Sequence, residues 1–327
     1  MFRTSLLAIT ALMLLGAANA NAKITTFDPQ GSIATNPRSV DKGIVTGAYY
    51  DGNYTQHGFV RAGGGTITTF DPAGATSTFA ARIVGGKIVG YYADNTGADH
   101  GFLRGTDGAF TTFDAPGSIG TIAGGLNGAG DIGGYYEDGN YYYHGFLRAP
   151  DGTITTFDVT GAVDTYPAGV NKAGAIAGNY VGGDFLFHGF VRAAHGTIKT
   201  FDPAGSSYTQ PISINKAGAI AGYFYDSNTV FHGFVRAADG TITTFDPAGS
   251  TGTSAFGIDN RGNIAGYYQD GNSVIHGFER HADGTIKTFD PAGSAGTSAF
   301  GIDNSGNIVG NYIDSSGMAH GFIKSHK

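Results

Sequence analysis

Histidine and aspartate recur through this chain in matched pairs: His57 with Asp71, His100 with Asp114, His144 with Asp158, His188 with Asp202, His232 with Asp246, and His276 with Asp290. His320 near the C-terminus and Asp28 near the N-terminus are left to complete a seventh pair. An imidazole oriented by a carboxylate can act as a general base, and the same residue types can ligate a metal. Seven equivalent copies distributed along a repeat cannot converge on one substrate, which makes the pairs structural. A His N–H donated to a cross-strand carboxylate would hold a hairpin end together, an interaction worth about 1–3 kcal/mol when partly buried.

Other chemistry is sparse. An Asp stands six residues before the His in six units (Asp51, Asp94, Asp138, Asp226, Asp270, Asp314). It could suggest calcium, but the spaced carboxylates of an EF-hand loop are missing, and an Asx-type turn is the simpler reading. The chain contains no Gly-x-Ser-x-Gly elbow, His-Glu-x-x-His or phosphate-binding loop, and Glu occurs only at Glu137 and Glu279. His195, His281 and His326 fall in a turn, after a strand and at the terminus, where exposure is expected. No catalytic residue, metal or cofactor is therefore assigned.

Only positions that break the repeat can be private to one site. The large departures are Tyr141-Tyr142-Tyr143, Tyr166-Pro167, Phe185-Leu186-Phe187, and Tyr208 with Gln210, all placed in loops of neighbouring units. Exposed aromatics can stack on sugar rings or anchor a protein partner. Tyr141, Tyr142, Tyr143, Tyr166 and Tyr208 are accordingly the candidate ligand-binding residues, the alternative being that they pack on one another. Trp is absent, so affinity for a single glycan should lie in roughly the millimolar to micromolar range.

What must position these residues is a repeat. His-Gly-Phe occurs seven times, at intervals of 43 residues once and then 44 five times. Periods of about 20–50 residues mark solenoids, propellers or arrays. Each unit also carries Thr-Phe-Asp, a Thr seven residues after that Asp, and a Gly followed two residues later by an aromatic, as at Gly47 and Tyr49. The 43-residue units lose their residue in one short turn, near Gly43 and Gly86. Within a unit, four apolar runs are separated by Asn-Gly or Asp-Gly turn chemistry, which predicts hairpins. The 56 Gly oppose helix. The expected fold is all-β, a seven-bladed β-propeller of four-stranded blades. Ile24–Asp28 resembles the fourth strand of a unit, and Ala299–Lys324 the first three strands of another. Joined, they make one blade and close the ring through the N-terminal strand, removing the edges that an open solenoid would leave.

Residues 1–20 form an expected signal peptide, with Arg3, the apolar Leu6–Leu15 and small residues at Ala18-Asn19-Ala20. The apolar stretch is too short to span a bilayer. Residues 21–327 are expected to be one propeller domain, secreted to the periplasm or beyond, monomeric, and without disulfides, since Cys is absent. Charged residues are 14% and the formal net charge is −7 with no basic cluster, which weighs against nucleic acid or an anionic membrane surface. A glycan or a protein is the expected partner.

The repeated sequence His-Gly-Phe, Asp-Gly-Thr-Ile-Thr-Thr-Phe-Asp-Pro-Ala-Gly, then Gly-Ile-Asp-Asn-x-Gly-Asn-Ile resembles bacterial extracellular repeat proteins of the HAF type, which carry His-Ala-Phe at the first motif. The resemblance spans nearly the whole chain after the leader, and its strand order is similar to that of WD and NHL propellers. It implies an envelope or extracellular location and a propeller-like fold, with no catalytic residues to carry over. Two functions follow as expectations. One is a non-catalytic propeller that binds a glycan or protein or serves the cell envelope structurally. The other is a secreted enzyme of the lactonase, lyase or glycosidase class, which would need acids and bases found in one place only, whereas those read from the sequence belong to the repeat.

Overall fold

The computed structural model describes residues 23–325; the expected signal peptide and His326 lie outside them. Among the described residues there are 28 strands and no helix. They form repeated four-stranded antiparallel sheets. In one sheet, Ser250–Ile258 pairs with Ile264–Asp270, that strand with Ile275–Arg280, and that with Ile286–Phe289. The other sheets repeat this order, save that Ala319–Ser325 takes Lys23–Phe27 as its fourth strand, and two pairs of sheets are linked by one parallel contact each, Ala34 with Ala319 and Phe187 with Tyr208.

Turn chemistry explains the hairpins. Where the repeat is one residue short, Lys42-Gly43 and Gly85-Gly86 make two-residue turns with positive φ at both positions (51° and 77°, 59° and 79°). Such turns match the twist of the strands they join. The remaining first hairpins turn on a longer loop closed by an Asn or Asp side chain, as where Asn127 Oδ1 accepts the N–H groups of Ala129, Gly130 and Asp131.

The terminal strands meet. Lys23–Phe27 runs antiparallel to Ala319–Ser325, in register from Lys23 opposite Ser325 to Phe27 opposite Gly321. Asp28 then accepts from His320 Nδ1 at 2.7 Å and from Thr35 Oγ1 at 2.6 Å.

Neighbouring sheets pack through one repeated contact. The Phe of Thr-Phe-Asp in one sheet meets the fully buried Phe of His-Gly-Phe in the next, edge to face, from Phe27–Phe59 at 5.9 Å to Phe289–Phe322 at 5.8 Å. A cation covers the same ring: Arg61 lies over Phe27 at 5.0 Å, Arg148 over Phe113 at 4.9 Å and Lys324 over Phe289 at 5.1 Å. The basic residue two positions after each His-Gly-Phe is thus part of the packing, a repeat feature that pattern reading passed over. Each ring pair adds about 0.5–1.5 kcal/mol beyond its buried area. The aromatic two residues beyond each strand-two Gly joins the same seams, as Tyr49 does in a buried cluster with Val309 and Ile323 of the neighbouring sheet and Tyr268 in one with Ala221. Tyr49, Tyr136 and Tyr268 each lie 5.2 Å from the histidine of their own sheet.

A second set of links joins the first strands. Asn127 Nδ2 donates to Asn171 O, Asn171 Nδ2 to Asn215 O and Asn215 Nδ2 to Asp259 O, at 2.9–3.1 Å. Asp303 accepts from Gly43 N at 3.0 Å, and Asp41 from Gly85 N at 2.7 Å. Buried polar groups are thereby satisfied across sheets as well as within them.

Candidate functional site

The histidines sit between two carboxylates each. Nδ1 contacts the Asp that follows the fourth strand at 2.7–2.9 Å, and Nε2 approaches the Asp six residues upstream, at 3.4 Å for His100 and Asp94 and 3.3 Å for His320 and Asp314. Asp184, four residues upstream, substitutes in the fourth sheet. The upstream Asp also accepts the backbone N–H groups two and four residues on, as Asp51 does from Asn53 and Thr55, which makes it an Asx turn. The Thr96 hydroxyl, with the N–H groups of Thr96 and Ala98, holds Asp94 down at about 2. For His276 and His320 the hydrogen bond to the downstream Asp raises the pKa above the usual value, against opposition from burial. For His100, His144 and His188 burial is the largest influence and lowers it, but the two carboxylates together outweigh it, so these too are raised.

A raised histidine binds its proton more tightly folded than unfolded. Its stabilisation is complete below the unfolded value of about 6.5 and is lost as pH rises through the higher folded value. The melting temperature should therefore fall as pH rises from about 6.5 through the raised folded values, and His276→Asn should flatten that slope. A melting temperature that rises across this window would show that the carboxylates do not hold the protons.

The candidate tyrosines divide into two groups. Tyr141 (71% exposed) and Tyr142 (49%) project from the tip of the loop between the second and third strands. Tyr143, Tyr166 and Tyr208 do not lie in open loops. Tyr143 and Tyr208 begin strands Tyr143–Arg148 and Tyr208–Ile214, and Tyr166 is inside Asp164–Val170, where Pro167 is accommodated at a bulge. Tyr166 is 5.2 Å from Tyr143 and 6.2 Å from Phe187, which is in turn 4.9 Å from Tyr208. Tyr208 packs on Tyr225 at 5.0 Å, and its hydroxyl donates to Gln210 at 2.6 Å. Tyr143, Tyr166 and Tyr208 therefore pack on other rings.

The loop tips carry a further signal. Tyr54, Tyr141 and Phe185 adopt left-handed backbone (φ 62°, 67° and 62°), as Thr229 and Ser273 do at the same turn position (φ 64° and 66°) and Gly97 and Gly317 in the remaining sheets (φ 86° each). A side chain there costs about 1–2 kcal/mol relative to ordinary helical-region backbone. The left-handed turn belongs to the repeat, and what sets Tyr54, Tyr141 and Phe185 apart is a large ring held in solvent.

A pocket of about 380 Å³ is lined by Tyr91, Asp99, Gly120, Ile122, Tyr135, Glu137, Tyr143 and Tyr166. Tyr135 is edge-on to Tyr143 at 5.8 Å and to Tyr166 at 5.2 Å. A side-chain carbon added at Gly120 would lie 3.9 Å from Asp99 Cβ and 4.0 Å from Glu137 Oε2, so the backbone there leaves room between the two carboxylates. Burial raises the Asp99 carboxyl, and the charge of Glu137 adds to it. Burial raises the Tyr143 phenol, with Glu137 adding, and lifts Tyr135 to about 12.

Asp99 and Glu137 correct the expectation that every acid in this chain belongs to the repeat. Both are repeat-breaking and both face one pocket. Their signal was legible column by column. The residue before each His reads Gln56, Asp99, Tyr143, Phe187, Phe231, Ile275 and Ala319, and the residue after the strand-two aromatic reads Tyr50, Ala93, Glu137, Val181, Tyr225, Gln269 and Ile313. Likewise, His281 is half-buried beside the buried Glu279, contrary to its expected exposure, whereas His195 is exposed.

The first strands of all the sheets also line one common cavity of about 480 Å³. One lining position reads Arg38, Ala81, Gly124, Ala168, Ile212, Phe256 and Phe300 around the sheets.

No family model matches the chain, and no curated protein does. Among solved structures, the β-propeller domain of the Trilobed protease from Pyrococcus furiosus, a domain of open velcro topology, superposes with a TM-score of 0.66 at 8% identity. It covers 91% of this chain and 97% of that domain. The chain has a β-propeller fold. Puromycin hydrolase (TM-score 0.62, 12% identity) is matched over 88% of this chain and 53% of its own length. TolB from Acinetobacter baumannii (0.53, 11% identity) is matched over 87% and 64%. The chain thus spans about half to two thirds of these longer proteins. At such identities the propeller is what they share. No helix among the described residues is long and apolar enough to cross a membrane.

Proposed function

We propose that the protein is an exported, non-catalytic propeller of seven blades, its ring closed by Lys23–Phe27, and that it binds carbohydrate on the face bearing Tyr141 and Tyr142. Pairing of the first strand with the last, and the unbroken succession of Phe contacts from Phe27–Phe59 round to Phe289–Phe322, support the closed ring. The observation that carries the binding reading is the convergence of aromatic rings and two repeat-breaking carboxylates on one pocket. Tyr91, Tyr135, Tyr143 and Tyr166 line it with Asp99 and Glu137, and the exposed Tyr141 and Tyr142 directly precede Tyr143 in the chain. Tyrosine faces suit the C–H faces of sugars, and carboxylates accept from paired sugar hydroxyls.

The test compares Tyr141→Gly and Glu137→Gln with the parent protein on a polysaccharide panel. Tyr141→Gly relieves the left-handed strain at the cost of chain entropy, so stability should be unchanged or rise by up to about 1 kcal/mol. Affinity should fall about tenfold in either variant. Full affinity in both would remove the site from this face.

One observation favours a second reading. Asp99 and Glu137 are two carboxylates on one pocket with the former held toward its protonated form, the pattern of an acid and its partner in glycoside hydrolysis. Cleavage of a bound oligosaccharide that Glu137→Gln abolishes while binding persists would establish it.

A further inference from the structure

Arg38 is a cation where the other sheets carry Ala, Gly, Ile or Phe, and it points into the central cavity. Its guanidinium lies over Phe79 at 5.3 Å and over Phe300 at 4.7 Å, rings contributed by the sheets on either side. Arg82, on the adjacent first strand, lines the same cavity. The two strands are held side by side at this level, Ile83 N donating to Ser39 Oγ at 3.2 Å. Arg82 also breaks its column, which elsewhere reads Ser39, Gly125, Gly169, Ser213, Gly257 and Gly301.

The arginines at the sheet seams do not line this cavity. Arg61, Arg148, Arg236 and Arg280 each donate to a backbone carbonyl, although their Nε atoms, like that of Arg104, are buried without a partner. The side chains of Arg38 and Arg82 make no hydrogen bond or ion pair with any described residue, and Arg38 Nε is buried without a partner. Asp41, the carboxylate whose charge acts on Arg82, is engaged by Gly85 N. A desolvated guanidinium is costly unless it is paired. Rings over its faces leave its N–H edge free, and that edge matches the two oxygens of a carboxylate or phosphate.

We propose that Arg38 and Arg82 form a binding site for a small oxyanion in the central cavity, separate from the tyrosine pocket. The cavity volume is in the range of small-ligand sites. A net charge of −7 repels long polyanions, so the ligand is a small molecule bearing a carboxylate or phosphate group.

Calorimetry on the full chain at low ionic strength would use inorganic phosphate and succinate as probes, with succinamide as the neutral control. One or both oxyanions should bind saturably and succinamide should not. Which oxyanion binds identifies the source of the charge. Arg38→Met and Arg82→Met should each weaken binding about tenfold or more, and Glu137→Gln should leave it unchanged. Arg38→Lys keeps the charge and the stacked stem but lacks the fork; it should fold if the methionine variant does not, and bind with intermediate affinity. Absence of saturable binding by both oxyanions, or parental affinity in Arg38→Lys and Arg82→Met alike, overturns the site.

Discussion

A chain lacking Lys23–Asp28 is expected to lose cooperative folding. That segment supplies a strand in register over five residues and buries Phe27 against Phe59 beneath Arg61. It also supplies Asp28, which takes the His320 and Thr35 hydrogen bonds. Phe27 is partly buried, so its loss alone costs less than the roughly 3–5 kcal/mol of a fully buried Phe. Removing the strand as well exposes the edge of Ala319–Ser325 and strips one seam between sheets, which together rival the 5–15 kcal/mol that stabilises a typical domain. The measurement is a thermal melt followed by circular dichroism, with light scattering to register aggregation. A truncated protein that melts at the parental temperature in one transition would show that the first strand does not close the ring.

Gly134→Ala should destabilise by about 3 kcal/mol or more. A methyl group there would fall on the carbonyl oxygen of Ile122 and stand 2.8 Å from the Phe146 ring, and neither neighbour can yield. The carbonyl belongs to a paired strand, and Phe146 is fully buried. The same collision recurs at Gly47, Gly90, Gly178, Gly222, Gly266 and Gly310, each against the carbonyl of the paired first strand. Gly139, at an exposed loop tip with nothing within 4 Å, is the control, and alanine there should change stability by no more than about 0.5 kcal/mol. Equal unfolding free energies for the two variants by denaturant titration would mean that the strands can part at the strand-two glycines.

These expectations draw on different layers of the molecule. The hairpins, the His–Asp pairs and the aspartate-capped turns were legible in the chain, because each depends on residues only a few positions to about fourteen apart. Repetition multiplied that local signal until period, strand order and the complementarity of the two termini all agreed. The tyrosine sector was half legible. Tyr141, Tyr142 and Tyr143 stand out as departures, but whether a ring faces solvent or a neighbour depends on the adjoining sheet, which put Tyr208 into packing and left Tyr141 strained and exposed.

Asp99, Glu137, Arg38 and Arg82 show what the sequence alone left undecided. Each is an ordinary residue in an ordinary strand, and its only mark is a break in a column of the repeat. Asp99 and Glu137 come from adjacent sheets and meet across Gly120, while Arg38 is held between rings from the sheets on either side. The chain by itself determined the repeating four-stranded unit, since every partner in it is near in sequence. Packing of one sheet beside the next decided which private side chains share a pocket, because that convergence depends on how neighbouring sheets are set against each other, which no local pattern encodes.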